Sequence, residues 1–392
     1  MSRKPAVPSP ARRAERVLPF LAMDVLAAAT AKERRGESVV HMEVGQPSAP
    51  APRAAREAAR AALDLGRIGY TEALGIAPLR ERIARHYDET YGVAVAPEQV
   101  VVTTGSSAGF VLAFLSLFDA GARVAITAPG YPAYRNILAA LDIEAVPLQL
   151  ERASGYVMTA QAVERAHAER PLSGILAMSP ANPSGTMIGA AALDDLGETC
   201  GRLGLWFLSD EIYHGLTYGE PARTALAADP DAIVVNSFSK YFCMTGWRIG
   251  WLVVPRRLVR AVERLAQNLY ISAPYLSQVA ALAAFDARQE LEAVKAGYAR
   301  NRALLLDAFA SLGLGDMHPV DGAFYIYTDV ARFTNDSIGF CRRMLEEAGV
   351  AATPGVDFDA DAGAHHVRFS FAGSEEDCRE AVRRLKDWLP GV

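Results

Sequence analysis

Cysteine is scarce in this sequence, and its spacing excludes the common structural uses of the residue. Four cysteines occur among 392 residues, and no pair has the CxxC or Cys/His spacing of a zinc site. They are Cys200, Cys243, Cys341 and Cys378. Dispersed thiols are typical of a reducing compartment, so we expect four reduced cysteines, no bound metal and a cytoplasmic protein.

Long apolar runs and an excess of basic charge are also absent. The longest apolar stretches, such as 111–118, are much shorter than the ~20 residues that a membrane-spanning helix needs. The net charge of −5 provides no basic face for nucleic acid. No apolar segment of the signal-peptide type precedes Val17. The sequence therefore predicts no association with membranes or nucleic acids.

What the sequence does contain is an alternation of short Val/Ile-rich runs with helical patterns. Because 392 residues exceed the size at which a single core stops growing, we expect two lobes. Runs of this kind form parallel strands that helices bury on both faces, which predicts an α/β lobe followed, after about residue 285, by a smaller α+β lobe. Strands are predicted at 38–44, 100–104, 124–128, 143–148, 174–178, 205–209, 232–236, 249–254, 323–330 and 365–371, and helices at 19–35, 51–65, 76–91, 108–118, 133–141, 286–311, 336–348 and 374–388.

Small or polar residues follow several predicted strands, at the edge where parallel sheets bind ligands. Residues 100–110 lead from a strand into a helix whose first N–H groups can bind an anion, although a tight turn explains the same pattern. Asn182 is either a ligand or a turn residue before proline. Asp210 follows a buried strand, so it needs a cationic partner, or else it caps the next helix.

A further cluster, NSFSKYFCMTGWRIGW at 236–251, contains the most reactive candidate, Lys240. A lysine at a buried strand end can have a lowered pKa and form a Schiff base with an aldehyde. Ser237 and Arg248 supply a hydroxyl and a fixed cation, both suited to a phosphate. The alternative is a solvated loop lysine, for which the aromatic surroundings are unusual.

The order and spacing of these clusters resemble one protein family, the class I and II aminotransferases, which are fold-type I enzymes dependent on pyridoxal phosphate (PLP). The resemblance covers about residues 17–390. It implies an α/β fold with a mostly parallel seven-stranded sheet in a large domain, plus a smaller α+β domain. The matching motifs are YTEALG at 70–75 with LR at 79–80, NPSGT at 182–186, DEIY at 210–213, SFSK at 237–240, GWR at 246–248 and RFS at 368–370.

The resemblance implies a domain division and an activity. We expect a flexible N-terminal arm at 1–16, a large PLP-binding domain at 46–285, and a small domain built from 17–45 and 286–392. The implied enzyme of amino-acid metabolism exchanges an amino group between an L-amino acid and a 2-oxo acid. Lys240 forms the Schiff base with PLP and moves a proton by way of a quinonoid intermediate.

Roles for other residues follow from the same resemblance. Asp210 keeps the ring nitrogen protonated, while Tyr213 and Asn182 hold the 3-oxygen of the ring. Gly45, Asn182 and Arg368 hold the substrate carboxylate. The implied phosphate ligands are Ser106, Ser107, Ser237, Arg248 and, from a neighbouring subunit, Tyr70, and Tyr131 stacks on the ring. A site shared in this way implies a homodimer.

The same lysine and aspartate serve other reactions of this fold, so alternatives stay open. A carbon–sulfur β-lyase, or an enzyme that closes a cyclopropane ring, would carry the same residues. A PLP-sensing transcription regulator would need a DNA-binding module, and no helix-turn-helix pattern precedes Gly45. A nucleotide-binding dehydrogenase is excluded because no GxGxxG motif follows strand 38–44 or strand 100–104.

Side-chain specificity is only weakly encoded. Ser107 occupies the position where some aspartate-preferring relatives have a basic residue, which argues against strict aspartate specificity. Arg16, His41 or a residue of the N-terminal arm could still supply a positive charge, although each is better explained as a surface or packing residue. Val17 and Phe20 would suit an apolar amino acid. We therefore predict a broad range of donors, with 2-oxoglutarate or pyruvate as the acceptor.

Overall fold

A computed structural model of the protein describes residues 9–392, which form thirteen α-helices and twelve β-strands. The helices are α1 (Arg12–Glu15), α2 (Leu21–Arg34), α3 (Arg53–Asp64), α4 (Ala77–Tyr91), α5 (Gly105–Leu117), α6 (Pro132–Ala140), α7 (Ala160–Glu169), α8 (Ala190–Leu203), α9 (Arg256–Leu269), α10 (Tyr275–Ala284), α11 (Arg288–Ser311), α12 (Ser337–Arg343) and α13 (Glu375–Trp388). The strands are β1 (Val40–His41), β2 (Val100–Thr103), β3 (Arg123–Ala128), β4 (Glu144–Gln149), β5 (Gly174–Met178), β6 (Trp206–Asp210), β7 (Ile233–Ser237), β8 (Gly250–Val253), β9 (Tyr325–Asp329), β10 (Val350–Ala351), β11 (Thr353–Pro354) and β12 (His366–Ser370).

The largest sheet has seven strands in the order β2-β8-β7-β6-β5-β3-β4. Strands β4, β3, β5, β6 and β7 run parallel, and β8 is antiparallel to both of its neighbours. This confirms the predicted mostly parallel seven-stranded sheet. Strands β5 and β7 are buried along their whole length because helices cover both faces of the sheet.

Alternate residues of each strand pack into separate cores on the two faces of this sheet. In β7, Ile233 and Val235 belong to one core and Val234 to the other, as the two-residue period of a strand requires. Helices α5, α6 and α9 cover the first face, and α3, α4, α7, α8 and α10 cover the second. The first core continues into the C-terminal lobe, so the lobes share buried apolar contacts.

The smaller lobe contains a three-stranded antiparallel sheet in the order β11-β12-β9 and a parallel pair of β1 with β10. The strand predicted over 38–44 is wrong beyond Val40–His41. The reason is tertiary: Met42 donates its N–H to Ala351 but accepts from Ser370 of a different sheet. The chain then leaves the ladder and runs toward the large sheet.

Residues 1–8 of the predicted arm lie outside the described part, and Arg12–Glu15 form a short helix. The domain boundaries at 45/46 and 285/286 stay a prediction. Among residues 9–392, no helix combines the length and the apolar character that crossing a membrane requires.

Candidate active site

A cavity of about 200 Å³ opens where the parallel strands end, between the large sheet, the smaller lobe and the start of α2. Asp210 is the last residue of β6, and Lys240 follows β7 by three residues, so neighbouring strands bring them together. Ten of the twelve predicted site residues line this cavity: Gly45, Ser106, Ser107, Tyr131, Asn182, Asp210, Tyr213, Lys240, Arg248 and Arg368.

The amine of Lys240 reaches into the cavity from a short turn after β7. Its Nζ donates to the backbone carbonyl of Gly45 at 2.6 Å and lies 5.8 Å from the ring centre of Tyr213. Burial, together with the positive charges of Arg368 and Arg248, lowers the pKa of Lys240 to about 7. A large fraction of this amine is therefore neutral and nucleophilic near pH 7.

The carboxylate of Asp210 is 2% exposed and faces the same cavity. The hydroxyl of Tyr134 donates to Oδ2, and the backbone N–H of Ile212 donates to Oδ1 at 3.0 Å. Burial raises the pKa of Asp210 to about 6, against the opposing effects of Tyr134, Ile212 and the Lys240 charge. A cation placed beside Asp210 would therefore stabilise its ionised form.

Aromatic side chains form the walls between the lysine and the aspartate. The hydroxyls of Tyr213 and Tyr325 share a hydrogen bond of 2.7 Å, and their rings meet edge to face. Tyr131, the N-cap residue of α6, contacts Tyr134 with ring centres 5.3 Å apart. Burial raises the pKa of Tyr131 to about 12, so the phenol stays neutral.

One end of the cavity is suited to an anion. Ser106 and Ser107 lie in the first turn of α5, where Thr104 makes no side-chain cap to the free N–H groups. Gly105 has a φ of +76°, and a Cβ there would lie 2.5 Å from Nη2 of Arg248. Arg248 itself adopts a left-handed conformation with a φ of +50°. Backbone donors and a guanidinium thus converge on one point.

The opposite end is dominated by the guanidinium of Arg368, which is 2% exposed. Nη1 donates to Oδ1 of Asn182 at 2.8 Å, and Nη2 donates to the hydroxyl of Thr353 at 3.2 Å and to the carbonyl of Glu43. Its Nε has no partner among the described residues. The group lies 4.3 Å from the ring centre of Tyr325. A buried fork of donors in this position can grip a carboxylate.

Gly45 connects the two ends. A Cβ at this position would lie 1.6 Å from the hydroxyl oxygen of Tyr325, so no larger residue fits without moving that tyrosine. Its carbonyl accepts from Lys240, and the preceding segment supplies the Glu43 carbonyl to Arg368. The segment between β1 and α3 therefore accepts hydrogen bonds from both Lys240 and Arg368 and fixes the two side chains relative to each other.

The sequence as a whole matches one protein family. Residues 37–385 match the family described as aminotransferase class I and II. The chain is a class I and II aminotransferase. A valine–pyruvate aminotransferase of Mycobacterium tuberculosis is 48% identical to it over 378 residues, which is 95% of this chain and 97% of the relative. An aspartate/prephenate aminotransferase of Thermus thermophilus is 32% identical over 379 residues, 95% and 97% of the two chains.

Solved structures agree with the family assignment. A crystal structure of an aminotransferase from Mycobacterium tuberculosis superimposes with a TM-score of 0.95 at 48% identity, covering 98% of this chain and 100% of that one. The aspartate aminotransferase of Thermus thermophilus with maleate gives a TM-score of 0.91 at 31% identity, covering 96% and 99%. The predicted PLP fold-type I architecture and the predicted transaminase activity are confirmed.

Two residues that were predicted to bind the phosphate, Ser237 and Tyr70, do not line the cavity of the aminotransferase. Ser237 is 1% exposed, and its hydroxyl bonds the carbonyl of Ile249 at 3.0 Å and the hydroxyl of Ser239 at 2.9 Å. Ser239 lines the cavity instead. Tyr70 is 83% exposed and contributes nothing to the cavity of its own chain.

Of the residues suggested by the sequence for recognition of the substrate side chain, Arg16, Val17 and His41 lie outside the cavity, and Phe20 lines it. Arg16 and His41 form ion pairs with carboxylates elsewhere, and neither lines the cavity of the aminotransferase. Val17 is 41% exposed and does not line it either. Phe20 and Met23, at the start of α2, do line it and give its mouth an apolar character.

Several residues of the site were not predicted from the sequence, among them Tyr134, which does not line the cavity but donates to Asp210. Tyr134 follows Tyr131 by one helical turn of α6, and this spacing was the available signal for a second inward-facing tyrosine. Tyr325 sits in the alternating strand β9, where its pattern is that of an ordinary core residue. Thr245 and Ser239 surround the predicted Lys240 motif and also line the cavity.

Proposed function

We propose that the aminotransferase binds PLP in this cavity and that Lys240 attaches it. The strongest support is that a lysine amine of lowered pKa and the buried carboxylate of Asp210 face one cavity of about 200 Å³. When bound, the cofactor supplies an aldehyde that takes up the amino group and a ring that withdraws electrons from the substrate. Lys240 would attack that aldehyde and later carry a proton from the substrate Cα.

The cavity residues fit the parts of such a cofactor. The carboxylate of Asp210 would pair with a protonated ring nitrogen. The hydroxyl of Tyr134, which donates to Oδ2 of Asp210, would hold the carboxylate in place. Tyr213 and Asn182 would donate to the ring oxygen, since both carry side-chain donors at the cavity wall. Tyr131 would stack on the ring face.

The anion end fits a phosphate. The first-turn N–H groups of Ser106 and Ser107 and the guanidinium of Arg248 would hold it, with Ser239 within the same wall. Ser237 would support the phosphate site indirectly by positioning Ser239, because the Ser237 hydroxyl accepts from the backbone N–H of Ser239 at 3.1 Å.

The substrate carboxylate would bind Arg368 between Gly45 and Asn182. The guanidinium is held by Asn182 and Thr353, so its orientation is fixed before a ligand arrives. A planar, preoriented fork is a better partner for a carboxylate than a flexible lysine. When the substrate carboxylate enters, Nη1 of Arg368 would donate to it, either in place of Oδ1 of Asn182 or in addition to that oxygen.

The amino-acid side chain would point toward an apolar mouth. Phe20, Met23 and Val44 line this part. Among residues 9–392, the cations that line the cavity are Lys240, Arg248 and Arg368, and each is assigned to another group. The described residues therefore provide no further cation for a distal carboxylate. The similarity to a relative named valine–pyruvate aminotransferase supports an apolar donor and a small oxo acid as acceptor.

A substrate panel tests this proposal. With 2-oxoglutarate as acceptor for alanine, and 2-oxoglutarate or pyruvate as acceptor for the other donors, we expect alanine, valine and phenylalanine to give kcat/KM values at least about 10-fold above that of aspartate. The reason is that an unpaired carboxylate is costly to bury. Coupled assays of oxo-acid formation give the values. Aspartate as the best donor, or release of pyruvate and ammonia without any acceptor, would overturn the proposal in favour of another specificity or of a β-lyase.

We also propose a homodimer. The exposed side chains Leu63, Leu65 and Ile68 precede Tyr70, and Thr71 bonds Ser272 beside the exposed Ile271. Contiguous exposed apolar side chains mark interfaces. A second copy would also cover Ser107 and Arg248, which are exposed at the anion end. The protein would be cytoplasmic, consistent with four buried free cysteines.

Replacing Tyr70 by phenylalanine tests the shared site. If the hydroxyl donates to the phosphate of the neighbouring subunit, Tyr70→Phe weakens PLP binding by roughly 10-fold, the effect of one hydrogen bond to a charged group. The dimer should persist, because the ring stays in place. Fluorescence titration of cofactor-free protein with PLP and light scattering measure the two effects. Unchanged PLP affinity, or a monomer in solution, would contradict the shared site.

A further inference from the structure

A second cavity of about 250 Å³ lies between the two lobes and shares no lining residue with the active site. Gln149 and Leu150, at the end of β4, form one wall, and Tyr327 of β9 forms the other. Phe358 separates the two cavities, since its ring lies 4.6 Å from the Arg368 guanidinium and 6.0 Å from the Tyr327 ring.

The second cavity is acidic. Asp316, Asp329 and Asp359 line it, and no lysine or arginine among residues 9–392 does. Asp359 is 3% exposed, although its charge is stabilised by the backbone N–H groups of the turn that follows. Arg152 pairs with Asp316 at 3.3 Å, and its side chain is 76% exposed. Most of the negative charge of this cavity thus lacks a cationic partner.

Two buried polar atoms at this cavity have no hydrogen-bond partner among the described residues. They are the hydroxyl of Tyr327, which is 1% exposed, and Nδ1 of His318, which is 7% exposed. Burial raises the pKa of Tyr327 and lowers that of His318 to about 3, so both groups are neutral and can accept a hydrogen bond. Unpaired buried polar atoms are costly, which is a physical reason to expect a donor between them.

Aromatic faces line the same space. The ring of His318 stacks on Tyr156 at 3.6 Å, and the ring of Tyr327 stacks on His366 at 4.8 Å. Nδ1 of His366 bonds the carbonyl of Ala362 at 3.0 Å, which assigns the proton to that nitrogen. Carboxylates, neutral acceptors and aromatic walls together match a planar cation with several N–H donors.

We infer that this cavity is a binding site for a small molecule bearing a guanidinium group. The guanidinium would donate to the carboxylates of Asp329 and Asp359 and to the hydroxyl of Tyr327. An alkylammonium has fewer donors and no planar face, so it matches the aromatic walls less well. The site holds no group of the transamination chemistry, and its occupancy is independent of the proposed substrate specificity.

The test is calorimetric titration of the PLP-saturated enzyme with methylguanidinium chloride, which carries no α-amino group and cannot act as an amino donor. Ionic strength is held constant with sodium chloride. We expect saturable binding at one site per chain. Tyr327→Phe and Asp329→Asn should each weaken the binding of methylguanidinium at least threefold. Both variants should fold. Tyr327→Phe removes a hydroxyl that has no partner among the described residues, and Asp329→Asn keeps the oxygen that accepts from the Ala331 N–H.

The matched control is Asp307→Asn, which makes the same charge change at an exposed site on α11 and should bind like the wild type. Saturating pyruvate should leave the affinity unchanged. Three results would overturn the inference: no saturable binding up to the solubility limit, equal binding by all variants, or competition with pyruvate. The last would assign the probe to the active site instead.

Discussion

Replacing Lys240 by alanine is expected to lower kcat by at least about 10⁴-fold. The change removes both the nucleophile and the group that carries the proton, and acid–base catalysis alone contributes roughly 10²–10⁴-fold. The fold should persist, because the Lys240 side chain makes one described hydrogen bond, to the carbonyl of Gly45 at 2.6 Å. Burial also lowers the pKa of this amine, so the lysine costs the native state stability near pH 7, and its removal should not destabilise the fold.

Two measurements separate loss of chemistry from loss of structure. Borohydride treatment of the PLP-loaded wild type should fix the cofactor to a peptide containing Lys240, and the variant should acquire no such mass. The circular dichroism spectrum should remain that of the wild type, and the thermal unfolding midpoint of the cofactor-free variant should be no lower than that of the cofactor-free wild type. Lys386→Ala, at an exposed lysine on α13, is the matched control and should keep full activity. Turnover of Lys240→Ala within tenfold of wild type would refute the assignment.

The large sheet was predictable because its strands are short, apolar and buried on both faces. The strand predicted at 174–178 is observed over Gly174–Met178, and the one at 205–209 is shifted by one residue to Trp206–Asp210. Burial on both faces makes such runs distinct from amphipathic helices. Local composition was therefore sufficient where the core itself defines the element.

The smaller lobe was less predictable because its pairing is tertiary. Strands β10 and β11 have two residues each, too few to show a period. The helix predicted at 336–348 ends as an α-helix at Arg343 and continues as a π-helical turn over Met344–Ala348. A switch of this kind depends on how the last turn packs against its neighbours, which apolar spacing does not encode.

The candidate site shows the same contrast. Asp210 and Lys240 were found because a charged residue after a buried strand is chemically conspicuous. Tyr134 and Tyr325 were not, because a tyrosine in an apolar pattern has the signature of a core residue, and its hydroxyl partner is distant in sequence. The position of Ser239, rather than Ser237, on the cavity wall depends on the rotation of one turn.

The cavity charge explains why these residues act together. Lys240, Arg248 and Arg368 face one buried carboxylate, Asp210, so the site is positive in a protein of net charge −5. A positive cavity of low dielectric attracts anions such as a phosphate and a carboxylate. Burial is the main reason for the lowered pKa of Lys240, and repulsion from Arg368 and Arg248 adds to it. The two arginines thus contribute both to anion binding and to the reactivity of the amine.

Replacing Asp210 by asparagine is expected to have opposite effects on activity and on stability. Without the negative charge, a protonated ring nitrogen loses its partner, and we expect kcat to fall by about 10²–10³-fold, as when a preorganised electrostatic contact is removed. Asparagine keeps an oxygen for the Ile212 N–H, and its amide can donate to the Tyr134 hydroxyl, so the hydrogen bonds survive.

Stability of the cofactor-free protein should change in the other direction. Burial raises the pKa of Asp210 to about 6, above its value of about 3.9 in an unfolded chain. A raised folded pKa means that the native state binds more protons, so wild-type stability is lost as the pH rises from about 4 to 6. Asparagine never ionises. The cofactor-free variant should therefore be the more stable protein at pH 8, by up to about 3 kcal/mol, and the difference should shrink toward pH 4.

Urea unfolding at several pH values, on wild type, Asp210→Asn and the exposed control Asp307→Asn, measures this difference directly. Saturation with PLP should reverse the order of stability, because the ionised aspartate gains a cationic partner that asparagine cannot use. An active Asp210→Asn enzyme would remove the ring-nitrogen role from this residue. A stability difference independent of pH would show instead that packing, rather than the buried charge, distinguishes the two side chains.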